Sequence, residues 1–281
     1  MKPRLIPAGV MACLALFAAS AFEAEIAAWR VSRLRALQAE DGWLSLAGLY
    51  WLHEGANTFG KDPANGIALS DGPARAGVFQ LDRGKVTVTA PGVSRAPKPD
   101  SAEFVRAGRL KLFIIQRGDK FGIRVKDPEN EYRRNFRGLE YFPARPEYRV
   151  VARFVVQPKP LAILNIIGQS ELYPSPGYAV FRLQGQELRL RPYLEEPGDK
   201  QLFYVFRDQT AGKETYGAGR FFYSGEPRDG QVVLDFNKAY NPPCSFTPYA
   251  TCPLPPVENR LPIRIEAGEK KYEFGPPEPE R

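Results

Sequence analysis

Leu110-Lys111-Leu112-Phe113-Ile114-Ile115 and Phe121-Gly122-Ile123-Arg124-Val125, joined through Arg117-Gly118-Asp119, form the stretch that decides the fold. Apolar residues recur here at a spacing of two, the period of a strand with one buried face, and not at the 3.6 of a helix. Gly118 accepts the positive φ that a tight reversal demands, so the two runs read as antiparallel partners. The same pattern recurs on either side. Val78-Phe79-Gln80-Leu81 and Lys85-Val86-Thr87-Val88-Thr89 flank Asp82-Arg83-Gly84, and runs at 178–183 and 187–193 flank Gln184-Gly185-Gln186. Further alternating runs lie at 148–156, 202–208, 215–223 and 231–237. No helical pattern of about 10 to 15 residues separates these strands, which excludes a parallel βαβ sheet. The expectation is a mainly β chain: a single antiparallel β domain over residues 22–274, barrel or sandwich-like, with one N-terminal helix.

The start of the chain has a different character. Met1-Lys2-Pro3-Arg4 precedes an apolar run from Leu5 to Ala18 and then Ala19-Ser20-Ala21, the small-x-small pattern of an export signal, so residues 1–21 read as a signal peptide. A spanning helix needs about 20 apolar residues, and Pro7, Gly9 and Glu23 leave this segment short, so no transmembrane segment is expected in the mature chain. Cys13 follows Val10-Met11-Ala12, which faintly resembles a lipoprotein processing site. The apolar run continues past it, so lipid anchoring is the lesser alternative to a periplasmic or secreted protein. Cleavage after Ala21 leaves 260 of the 281 residues and, with Lys2 and Arg4 gone, lowers the formal charge from +7 to +5. That mild basicity suits an anionic ligand, while export argues against nucleic acid as a partner. Residues 23–38 lack Gly and Pro, and Ile26, Trp29, Leu34 and Leu37 can share a face, with Gly42 as the stop. Arg30 and Arg33 interrupt the stripe, which places this helix on the surface. The tail 275–281, with Pro276, Pro277 and Pro279, reads as disordered.

Removing the signal leaves Cys244 and Cys252, and an oxidising compartment makes a disulfide between them the default. Its short ring contributes about 2.5 kcal/mol in the chain-entropy model, enough to stiffen a loop. No CxxC or HxxxH spacing accompanies them and His53 is the sole histidine, so neither a metal nor a cofactor is expected. Gly55-Ala56-Asn57-Thr58-Phe59-Gly60-Lys61 has the spacing of a phosphate-binding loop, but Asp62 replaces the metal-binding hydroxyl, and a turn between strands is the reading. No GxSxG is present. Ser175, in Pro174-Ser175-Pro176-Gly177, could meet His53 as a nucleophile, although turn chemistry accounts for that tetrapeptide. Carboxylate hydrolysis with Asp208 and Asp235 needs no histidine and stays open.

The densest polar grouping runs from Phe206 to Arg220. Read as a hairpin turning at Ala211-Gly212, it sets Asp208 opposite Thr215, Phe206 opposite Gly217 and Tyr204 opposite Gly219, with Tyr216, Arg220 and Arg207 on the other face. A second hairpin centred near Arg228 sets Arg220 beside Asp235. The strand then ends in a proline-rich segment with Asn237, Tyr240 and Asn241 before Cys244, a rigid loop that serves as a preorganised site or as a plug over one end of the domain.

Gly138-Leu139-Glu140-Tyr141-Phe142-Pro143, Thr215-Tyr216-Gly217-Ala218-Gly219-Arg220, and the run from Asp235 through Pro256 with Tyr240-Asn241-Pro242-Pro243-Cys244 resemble the bacterial and archaeal domain-of-unknown-function family 1684. Gly48-Leu49-Tyr50-Trp51-Leu52, Asn259-Arg260-Leu261 and Ala267-Gly268-Glu269-Lys270 extend the similarity. The resemblance implies one domain and carries over no catalytic residues. The functional expectation is an exported protein that binds a small or polymeric anionic or amphiphilic ligand in a β-sheet pocket through Tyr216, Arg220, Asn237, Tyr240 and Asn241. An envelope-directed hydrolase using Asp208 and Asp235, or a structural envelope protein without a site, are the alternatives.

Overall fold

The structure is a computed structural model and describes residues 8–275, with side chains from residue 20 onward. The expected tail beyond 275 and the first residues of the signal lie outside that range. Helix α1 (Ala8–Gln38) begins earlier than residue 23, because no breaker separates the apolar run from the amphipathic one. It stops where expected: a Cβ on Gly42 would sit 2.4 Å from the Ala36 carbonyl oxygen, so only glycine lets the chain fold back on the helix end. Ile26 and Leu37 are buried, while Arg30 and Arg33 are only partly covered, as befits a surface helix.

The first half of the chain forms β1 (Leu46–Trp51), β2 (Gly55–Gly60), β3 (Ile67–Ala68), β4 (Gly77–Asp82), β5 (Lys85–Ala90), β6 (Val93–Arg95), β7 (Val105–Ala107), β8 (Leu110–Arg117) and β9 (Lys120–Lys126). The second half supplies β10 (Arg149–Leu164), β11 (Ser170–Leu183), β12 (Gln186–Leu190), β13 (Leu202–Phe206), β14 (Arg220–Ser224) and β15 (Gln231–Asp235). The sheets run β1-β9-β8-β7, β3-β2-β4-β5-β6, β12-β11-β10-β15 and β13-β14. Pairing is antiparallel apart from β2 with β3, and none of these sheets closes into a barrel. Arg83-Gly84 and Gln184-Gly185 turn with both residues at positive φ, the geometry that matches strand twist in two-residue hairpin loops.

The two largest of four apolar clusters among the described residues hold these sheets. Phe59, Phe79, Leu112, Ile114 and Ile123 fill the first, and Phe181, Tyr204, Phe206, Phe222 and Phe236 dominate the second. Tyr204 and Phe222 are cross-strand partners whose rings stack at 4.7 Å with an interplanar angle of 1°. Each buried ring of this kind contributes roughly 2 to 3 kcal/mol of apolar transfer.

Three local expectations are corrected. The Gly55 to Gly60 segment is a strand, not a turn, and Lys61 follows its end. Pro174-Ser175-Pro176 is also strand, because the β10/β11 hairpin extends to Leu164 and Ser170 and Pro174 pairs with Pro160, with a register shift between Val156 and Lys159. The register at β13/β14 pairs Phe206 with Arg220 and Tyr204 with Phe222, three positions from that expected. The reversal is wide because Thr210 and Thr215 close it, with their hydroxyls 2.8 Å apart and the Thr215 N–H donating to the Thr210 carbonyl. Gly219 (φ 104°) then passes against the Phe206 carbonyl, which a Cβ would meet at 2.5 Å, and faces no aromatic ring across a ladder.

Candidate functional site

Most of the polar residues singled out from sequence are turned inward. Arg220 is fully buried. Its guanidinium donates to the Ile265 carbonyl at 2.9 Å and to the Ala267 carbonyl, and meets Asp208 at 3.3 Å. Asp208 also accepts from the Ile265 N–H at 2.6 Å and from the Thr210 hydroxyl at 2.9 Å. Asp235 is not beside Arg220: the Asp229-Gly230 turn forms, but β15 pairs with β10, which sets Asp235 opposite Arg149 at 2.6 Å. Asn237 bridges to the Arg145 backbone, donating to its carbonyl at 3.0 Å and accepting from its N–H at 2.9 Å. Asn241 donates its backbone N–H to Glu269 at 2.7 Å and its side chain to the Lys270 carbonyl at 2.7 Å. Tyr216 is buried, its hydroxyl 3.4 Å from the Cys244 carbonyl. Ser175 is buried against Gly177 and Arg191, whereas His53 is exposed at the entry to β2, and no contact joins them among the described residues.

Cys244 and Cys252 are adjacent, with the Cys244 N–H 3.1 Å from the Cys252 sulfur, but the structure holds no bond between the sulfurs, so the expected bridge is not shown. Burial and hydrogen bonding with Cys244 push the Cys252 thiol well above its ordinary pKa.

Tyr240 alone among the expected ligand-binding residues opens onto a cleft, one of about 470 Å³. The β8/β9 hairpin carries Arg117 and Arg124 to one end. Arg117 donates to the Thr251 hydroxyl at 2.9 Å and pairs with Asp100 at 2.9 Å. Arg124 has a poorer set of partners: one long contact to Thr251 at 3.5 Å, the Trp43 ring at 5.1 Å, and a buried Nε with no hydrogen-bond partner. Burial, with the positive charge of Arg117 adding to it and the Asp100 carboxylate partly opposing it, pushes the Arg124 pKa down to about 10. The group remains charged at neutral pH, so the fold holds a desolvated cation that no carboxylate touches.

Strand pairing builds the aromatic wall. Phe203 and Tyr223 are cross-strand neighbours with rings 4.7 Å apart, Tyr193 bridges to Phe203, and Tyr173 lies 4.7 Å from Tyr193. Tyr240 bridges to Phe221 and stacks toward Tyr223, with the Arg33 guanidinium 4.5 Å from its ring. The Tyr223 hydroxyl donates to Glu195 at 2.5 Å, and the Tyr173 hydroxyl donates to Glu171 at 2.7 Å, where these two line a small pocket with Arg117 and Thr251. Desolvation raises the Glu195 pKa and those of Tyr193 and Tyr223. Sequence reading missed Arg117, Arg124, Glu195 and three of the tyrosines, because they come from segments far apart in the chain. The local signal for Arg124 was its position inside the apolar run of β9.

No curated protein matches the chain. An uncharacterized protein of Haloarcula marismortui, solved by solution NMR, is 33% identical over 49% of this chain and 78% of its own, with a TM-score of 0.42. The family model described as protein of unknown function (DUF1684) matches residues 134–270, which hold the tyrosine wall and Thr251, while Arg117 and Arg124 lie before the match. This chain belongs to the DUF1684 family.

Proposed function

We propose that the cleft binds a small anionic ligand with a planar or apolar body, its anionic group at Arg124 and Arg117 and its body against the tyrosine wall. The observation that carries this reading is Arg124. A part-buried guanidinium in direct contact with no carboxylate, with Asp100 acting on it only from a distance, costs stability, and the cost is intelligible when a bound anion supplies a closer partner. Arg117, fixed by Asp100 and Thr251, brings a second set of donors to the same end. The aromatic wall supplies apolar area and the cleft has the volume of an ordinary small-molecule site. The hydrolase alternative is less well supported, because Asp208 and Asp235 are committed to Arg220 and Arg149.

Trp43, which packs on Arg124, is a built-in reporter. Titration with phenyl phosphate should give saturable quenching of its fluorescence, relieved by competing inorganic phosphate. A flat titration to millimolar concentration would count against the reading.

Export to the periplasm or medium belongs to the same proposal. Cleavage after Ala21 would start the mature chain at Phe22, whose ring lies 4.8 Å from the Arg149 guanidinium, next to the Glu25 contacts with Arg149 and Lys238. In that compartment Cys244 and Cys252, neighbours in the same loop, would pair and stiffen the segment carrying Thr251. No helix among the described residues is long and apolar enough to cross a membrane. Exported material that begins at Met1, or that alkylates at both cysteines without reductant, overturns these two parts respectively.

A further inference from the structure

We infer that the ligand of this cleft is an anionic sugar, one hydroxyl of which enters a recess beside the arginines and bridges Asn165 and Glu171. The inference rests on reading the Arg124 end as the anion subsite and adds a hydroxyl subsite next to it. Thr251 joins the two places. Its hydroxyl oxygen accepts from Arg117 at 2.9 Å and from Arg124 at 3.5 Å, and it also lines a recess of about 20 Å³ with Arg117, Asn165, Glu171 and Tyr173. A water needs roughly 10 to 15 Å³, so this recess has room for one oxygen-bearing group. Arg117, Glu171, Tyr173 and Thr251 line the cleft as well, which makes the recess a side chamber of it.

The polar groups of the recess define what fits it. Glu171 accepts from the Tyr173 hydroxyl at 2.7 Å through one oxygen, and its buried Oε1 has no hydrogen-bond partner. Asn165 is buried at the β10/β11 reversal, where its carboxamide oxygen accepts the Ile167 N–H at 3.1 Å and the Gln169 N–H at 3.0 Å. Those two bonds fix the amide, and among the described residues no acceptor meets its NH2 group. An acceptor and a donor thus line a space one oxygen wide. A hydroxyl satisfies both, whereas an unprotonated carboxylate or phosphate oxygen only accepts and an ammonium group only donates. A hydroxyl that reproduces both bonds also displaces a water from such a place without loss. The rest of the ligand meets the tyrosine wall, which offers a flat surface to the C–H face of a sugar ring: Tyr173, common to recess and cleft, has its ring 4.7 Å from that of Tyr193. A sugar acid carries hydroxyls a few bonds from its anionic group, the arrangement that two subsites sharing Thr251 require.

Calorimetry of the full chain with glucuronate, cyclohexanecarboxylate and phenyl phosphate tests this. Cyclohexanecarboxylate has a six-membered ring and the carboxylate without the hydroxyls, and glucuronate should bind about tenfold more tightly than it. Glu171→Met removes the acceptor and should bring glucuronate to the affinity of cyclohexanecarboxylate. The other two ligands should bind it at least as tightly as they bind the parent, since a negative charge has gone, and their binding shows that the variant is folded. Glu171→Gln, which keeps an oxygen for the Tyr173 hydroxyl, should act in the same direction. Arg124→Met should weaken all three ligands. Equal affinity for glucuronate and cyclohexanecarboxylate, or a preference for glucuronate that survives both Glu171 variants, overturns the sugar and leaves the anion subsite standing. Loss of phenyl phosphate along with glucuronate in folded Glu171 variants also overturns it, because the recess then serves the anion itself. Absence of binding by all three ligands overturns the anion subsite.

Discussion

Arg220 and Arg124 sit in the same protein, the first fully buried and the second part-buried against a cleft, and have opposite surroundings. Arg220 donates to carbonyls of the chain from Ile265 to Glu269 and meets the Asp208 carboxylate, leaving only its Nε without a partner. Around it, Glu269 receives Arg33 at 2.9 Å and the Asn241 N–H at 2.7 Å, so the C-terminal segment is sewn to α1 and to the loop after β15. Arg124 has one long hydrogen bond, an aromatic neighbour, a second arginine for company and the Asp100 carboxylate only at a distance. Residue type does not separate these two places; the count of satisfied donors and compensated charge does. The first cluster is finished chemistry that holds the fold. The second is incomplete until something binds.

Arg220→Met breaks the comparison most severely. It removes the counter-ion from a buried Asp208 and frees backbone carbonyls that have no water in reach, so a loss of about 3 to 5 kcal/mol in chemical denaturation is expected. Arg124→Met acts in the opposite direction. Removing a desolvated charge that lacks a carboxylate should raise stability by about 1 to 3 kcal/mol, read as a higher denaturation midpoint with an unchanged slope.

Glu25 supplies the smallest effect and sharpens the contrast between buried and exposed charge. Hydrogen bonds from Arg149 and Lys238 lower its pKa from 4.5 to about 2. A depressed carboxylate pKa gives stability that is fully present above about 4.5 and is lost as pH falls through about 2. The pair is solvent-exposed and screened, so Glu25→Gln should cost about 0.5 kcal/mol or less at neutral pH. The difference from the parent protein should vanish near pH 2 in an acid titration followed by circular dichroism.

Much of the fold was legible because it depends on local signals. The alternation in β8 and β9 and the Gly-containing reversals at Arg83-Gly84 and Gln184-Gly185 fix strands and turns within a few residues of one another. Register across residues 207–219 was not legible, since side chains of Thr210 and Thr215 hold that reversal open and sequence spacing suggests a tight turn. Pro174-Ser175-Pro176 misled in a similar way: the residues favour a turn in isolation, but a long hairpin partner keeps them extended. The Asp229-Gly230 turn was found, yet its two flanks pair elsewhere, β14 with β13 and β15 with β10, because tertiary contacts decide strand partners.

The cleft was the least legible part. Polar density drew attention to Asp208, Arg220, Asn237 and Asn241, and density is what a buried network that binds the chain to itself also requires. The cleft gathers Arg33 from α1, Arg124 from β9, Tyr173 from β11, Tyr223 from β14 and Thr251 from a loop, and no window of sequence contains more than a fragment of it. Tyr240 was anticipated because it stands at the end of β15's loop, where the inward network and the cleft meet.

The most direct test is the dissociation constant of phenyl phosphate for Arg124→Met against the parent chain, measured on samples whose unfolding free energies are determined alongside. An incomplete cation site predicts affinity lower by at least tenfold in a variant that is more stable than the parent. Unchanged affinity together with a loss of several kcal/mol of stability would instead place Arg124 with Arg220, as part of the scaffold.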